Sequence, residues 1–67
     1  MPKLRNRVKD IRIKKNLNQS ALAKRAGTAQ QTISDIETGR RVPSVITALL
    51  LAQALGESVE TLFFWEE

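Results

Sequence analysis

Residues 19–37 read Q-S-A-L-A-K-R-A-G-T-A-Q-Q-T-I-S-D-I-E. The apolar positions predict two short helices meeting at a tight turn. Leu22, Ala23 and Ala26 fall on one face at helical spacing, and Ile33 and Ile36 repeat that spacing after the turn. Ala23 is small where a second helix must pass close. Gly27 follows the last apolar residue of the first helix, where the chain needs a residue tolerant of positive φ. Gln31, Ser34, Asp35 and Thr38 are left facing outward on the second helix, with Gln30 and Thr32 flanking its start. A solvated helix face usually carries Lys and Glu. A face of amides and hydroxyls suits hydrogen bonding to base edges in a DNA major groove, where Gln reads adenine through two bonds.

Extended outward, the stretch L-N-Q-S-A-L-A-K-R-A-G-T-A-Q-Q-T-I-S-D-I-E-T-G-R-R-V-P-S resembles the helix-turn-helix of the lambda-repressor-like family, the Cro/cI (Xre) type. Leu22, Ala23, Gly27, Ile33 and Ile36 carry the resemblance, which runs from about Val8 to Phe63. It implies an all-α fold, a compact bundle of about five short helices. One domain is expected over residues 1–67, with the helix-turn-helix proper at 19–38 and C-terminal helices and tail at 44–67. It implies base contacts from Gln30, Gln31, Thr32 and Asp35. It implies DNA phosphate contacts from Asn18, Gln19, Thr28, Ser34, Thr38, Arg40 and Arg41. It also implies an ion pair between Arg12 and Glu37, which sequence position alone would not suggest.

Two residues depart from the family pattern. Ala29 stands where a Ser or Thr usually caps the second helix, so Thr28 is left to cap one residue early. Asp35 faces the groove as an acid. Either it accepts from cytosine N4 and filters bases, or it turns sideways to a Lys or Arg. Gln19 has two readings as well, a phosphate contact at a helix N-terminus or a local capping contact.

Charge distribution points the same way. All eleven Lys and Arg lie at or before Arg41, against Asp10, Asp35 and Glu37, a net +8. From Val42 onward there are only Glu57, Glu60, Glu66 and Glu67, a net −4. Such asymmetry implies a polyanion partner for the first segment. No Cys or His is present, which removes disulfides and the commonest metal ligands and general bases. No metal, cofactor or small-molecule ligand is expected, and no enzymatic activity. No apolar run spans a bilayer and the basic N-terminus lacks the apolar core of a secretory signal, so the cytoplasm is the expected location.

The remaining segments are expected as follows. Residues 1–5 form a frayed arm. A first helix runs from about Asn6 to Lys15, with Val8, Ile11 and the Lys15 stem inward. Asn16 ends it in the left-handed conformation, and Leu17 drops into the core. Asn18, Ser44 and Ser58 cap the following helices, and Gly39, Pro43 and Gly56 stop them. Val45, Ala48, Leu49, Leu51, Ala52 and Leu55 supply more apolar surface than one face of the fourth helix needs. A last helix runs from Val59 to about Phe64, with Val59, Leu62 and Phe63 closing the core. Ile46, Leu50, Phe64 and Trp65 are left over. They either bury in the monomer or form a patch that pairs two copies as a homodimer. The expected function is a DNA-binding transcriptional regulator, a repressor or Cro-like switch acting on a palindromic operator. An antitoxin or restriction-modification controller with a further protein partner is the alternative.

Overall fold

Hydrophobic spacing and helix caps account for most of the architecture. The computed structural model describes residues 2–66. In chain order the elements are β1 (Lys3–Asn6), α1 (Val8–Lys14), α2 (Gln19–Ala26), α3 (Gln30–Glu37), α4 (Val45–Leu55), α5 (Val59–Leu62) and β2 (Phe63–Glu66). Three helices start on a residue whose side-chain oxygen accepts a backbone N–H. Asn18 accepts from Ala21, Ser44 from Thr47 and Ser58 from Thr61. The left-handed turns fall at Asn16 (φ 57°) and Gly27 (φ 69°), ending α1 and α2.

The ten core residues come from five elements: Val8, Leu22, Ala23, Ala26, Ile33, Ile36, Leu51, Ala52, Leu55 and Leu62. Ile11, Leu17, Val59 and Phe63 pack against them while half-buried. A fully buried Leu or Ile contributes about 1.5–3 kcal/mol. The small Ala23 and Ala26 let α3 and α4 approach α2 closely.

Against an all-α expectation, the chain ends form a two-stranded antiparallel sheet. Of the arm expected to fray, residues 3–5 belong to β1 and Met1 lies outside the described residues. Its register pairs Lys3 with Glu66, Leu4 with Trp65, Arg5 with Phe64 and Asn6 with Phe63. The ladder continues in the Arg7 N–H, which donates to Leu62 O at 2.8 Å. Because Phe63 and Phe64 enter the sheet, the last helix stops at Leu62, short of the expected Phe64. Phe-Phe-Trp favours a pleated, half-buried strand once a partner is available. The first helix likewise starts at Val8, not Asn6. Asn6 belongs to the strand and spends its side chain on two elements. Its Oδ1 accepts from the Val8 N–H at 3.2 Å, and its Nδ2 donates to Ile36 O at 3.0 Å. Lys15 is exposed rather than folded inward.

On α4 the inward residues are Ala48, Leu51, Ala52 and Leu55. Val45 and Leu49 do not join them. They lie with Ile46 and Leu50 on an exposed apolar side, at 76, 56, 71 and 36 % exposure respectively. Among the described residues, no helix is long and apolar enough to cross a membrane.

Candidate nucleic-acid interface

The turn between α2 and α3 fixes the geometry. Gly27 ends α2, and the Thr28 N–H donates to Ala23 O at 2.9 Å, turning the chain back across α2. Ile33 and Ile36 are fully buried beneath α3, so helical periodicity turns Gln31 and Ser34 outward, while Gln30 is exposed at the first position of the helix. Gln30 and Gln31 are exposed; Thr32, Ser34 and Asp35 are half-buried. An open cleft of about 370 Å³ is lined by Gln19, Gln30, Gln31 and Ser34. The start of α2 and the outward side of α3 therefore present one polar surface.

Ala29 precedes α3 in extended conformation (φ −82°, ψ 148°) with no side-chain cap. Thr28 does not cap early. The first N–H groups of α3 are left for solvent or an anion at the positive end of the helix dipole.

Beneath this surface lies a charged network. Arg12 Nε donates to Glu37 Oε2 at 2.7 Å and Arg12 Nη2 to Glu37 Oε1 at 3.1 Å, a bidentate pair. The two side chains are only 10 and 3 % exposed. Arg12 Nη1 donates to Leu17 O at 2.9 Å, and Gln19 Nε2 donates to Glu37 Oε1 at 3.0 Å. Donating hydrogen bonds to the Glu37 carboxylate raises the Arg12 guanidinium above its ordinary pKa, burial pulls it down, and the Coulomb attraction of Glu37 adds to the rise. The network ties α1, the start of α2 and the end of α3 together.

The other site residues fall in distinct places. Gln19 lines the cleft, and its amide nitrogen donates to Glu37 rather than making a local capping contact. Asp35 accepts from Gln31 Nε2 at 3.0 Å along the helix rather than turning to a Lys or Arg. The Thr38 hydroxyl donates back to Ser34 O and Asp35 O, at 3.0 and 3.2 Å. The Arg40 and Arg41 N–H groups close the end of α3 on Asp35 O at 2.8 and 3.2 Å, and both residues are exposed. Among the described residues, ion pairs are confined to Arg5–Glu66 and Arg12–Glu37, so Arg40 and Arg41 have no carboxylate partner.

Phe64, expected as part of an interface patch, is half-buried. The Arg7 guanidinium lies 4.0 Å from its ring centroid. Trp65 remains 67 % exposed. Sequence reasoning missed two polar ties, Asn6 to α3 and Gln19 to Glu37. Each joins residues far apart in the chain, and no local pattern signals either.

The chain is similar to known proteins in sequence and in fold. Among curated relatives, an uncharacterised HTH-type transcriptional regulator of Archaeoglobus fulgidus is 36 % identical over 64 residues, covering 96 % of this chain and 90 % of the relative. One from Methanocaldococcus jannaschii is 38 % identical over 64 residues, covering 96 and 97 %. The restriction-modification controller protein C.AhdI from Aeromonas hydrophila superposes with a TM-score of 0.79 at 31 % identity, covering 82 % of this chain and 83 % of that one. The N-terminal DNA binding domain of SinR from Bacillus subtilis gives 0.78 at 34 %, covering 82 and 81 %. Residues 8–62 match the helix-turn-helix family model, and the chain belongs to that family, in its Cro/cI type.

Proposed function

We propose that this protein is a sequence-specific DNA-binding transcriptional regulator, a repressor or Cro-like switch, that binds a palindromic operator as a homodimer. The observation that carries this reading is the continuous polar surface of Gln19, Gln30, Gln31 and Ser34 around a cleft at the start of α3. Helix α3 lies in the major groove, with Gln30, Gln31, Thr32 and Asp35 at base edges. Asn18, Gln19, Thr28, Ser34, Thr38, Arg40 and Arg41 meet the phosphates on either side. Gln19 has one amide proton left after its bond to Glu37, and that proton is free for a phosphate oxygen. The net +8 of the first 41 residues supplies the sequence-independent attraction.

The homodimer uses the exposed apolar side of α4, Ile46 and Leu50, together with the C-terminal strand residues Phe64 and Trp65. Two-fold pairing sets two copies of α3 about 34 Å apart on one DNA face. A restriction-modification controller role is the second reading, favoured by the likeness to C.AhdI.

In vitro selection from a randomised duplex pool tests both specificity and symmetry. The expected product is an inverted repeat bound at least about a thousandfold more tightly than random duplex at physiological salt. Equal affinity for selected and random duplexes would reject sequence-specific regulation. A Leu50→Ala, Trp65→Ala double variant should sediment as a monomer; if it stays dimeric, the interface lies elsewhere.

A further inference from the structure

We propose that Gln31 and Asp35 act as one reading unit, in which Asp35 is a positioning residue that holds the Gln31 amide in the orientation required for adenine. The inference rests on α3 lying in the major groove, as proposed above. Gln31 and Asp35 are one helical turn apart on α3, and Gln31 Nε2 donates to Asp35 Oδ1 at 3.0 Å. A carboxamide nitrogen carries two protons. One lies beside Oε1 and the other points away from it. When the distal proton goes to Asp35, the edge formed by Oε1 and the proximal N–H stays free. That edge matches adenine, with N6–H donating to Oε1 and N7 accepting from the amide.

A half-turn about the last side-chain bond would exchange the amide oxygen and nitrogen. It would then bring Oε1 against the Asp35 carboxylate, oxygen against oxygen, with no proton between them. Asp35 thus removes the flipped amide from the free protein, and no reorientation is required on binding. The same carboxylate also disfavours guanine and thymine nearby, since O6 and O4 are acceptors where adenine presents the N6 donor. Asp35 is half-buried, its Oδ1 already accepts from Gln31, and none of the described Lys or Arg forms an ion pair with it.

The test compares Asp35→Ala with Asp35→Asn on duplexes carrying each base at the Gln31 position, with folding checked by circular dichroism. Both variants lose the charge, and both should bind DNA more tightly overall because a negative group has left the phosphate field. Asp35→Ala loses the acceptor, and Asp35→Asn gains N–H groups that a flipped Gln31 Oε1 can accept from. Wild type is expected to prefer adenine over guanine by about tenfold or more, within the range of one bidentate contact. Both variants should lose most of that ratio, since neither excludes the flipped amide. Gln31→Ala, an exposed position, should abolish the preference at the same base pair. An adenine preference kept within about threefold in either Asp35 variant would overturn the proposal while leaving DNA recognition intact. So would a Gln31→Ala effect at a different base pair. A wild-type protein with no base preference anywhere would overturn the groove-binding reading itself, and this one with it.

Discussion

Replacing Glu37 by Ala is the most severe test of how the recognition surface is held. Glu37 accepts three hydrogen bonds, two from Arg12 and one from Gln19, with its side chain 3 % exposed. Truncation leaves the Arg12 guanidinium buried with Leu17 O as its remaining protein acceptor. Breaking a buried pair from one side costs about 3–5 kcal/mol, because one charge stays desolvated and unpaired. A domain of this size has only about 3–5 kcal/mol of net stability. Glu37→Ala should therefore be largely unfolded at 25 °C without denaturant, with no sigmoidal urea transition by circular dichroism where one is expected for wild type. The companion variant is Arg12→Met with Glu37→Leu. It removes both charges and fills the space, so stability should return to within about 1–2 kcal/mol of wild type. Gln19 is half-buried and can turn to solvent in that background. A loss below about 1 kcal/mol in Glu37→Ala would refute the reasoning, as would a double variant no more stable than the single one. The Arg12 end adds no pH dependence near neutrality. Its pKa is raised on folding, so its contribution is complete below the ordinary arginine range and is lost only as pH rises through the raised value.

Other perturbations have smaller expected effects. Ala29→Ser should add about 0.5–1 kcal/mol to the urea-derived stability, because Ala29 already has the extended conformation of a cap and lacks only the hydroxyl. Gly27→Ala should cost about 1–2 kcal/mol by the same assay. The added methyl would meet nothing within 4 Å, so the loss is that of the left-handed backbone at φ 69° alone. Arg41→Ala should weaken binding to selected and random duplexes alike. The slope of log K against log salt should fall by about 0.9, the value for one phosphate contact.

The helix-turn-helix was legible in the sequence because its signals are local. Leu22, Ala23, Gly27, Ile33 and Ile36 set the spacing of two helices and the sign of φ between them within fifteen residues. Asn18, Ser44 and Ser58 cap helices through oxygens that reach only three residues ahead. The outward direction of Gln31 and Ser34 followed from burying Ile33 and Ile36. The sheet was not legible. Leu4 and Trp65 pair across nearly the whole chain, and a strand of four residues has no stability until its partner is in place. The same holds for Asn6 on Ile36 O and for Gln19 on Glu37. On α4, spacing alone could not choose which apolar residues face inward, since Val45, Ile46, Leu49 and Leu50 suit a core as well as Ala48, Leu51, Ala52 and Leu55 do. Packing against α2 and α5 made that choice, because only one side of α4 meets those helices.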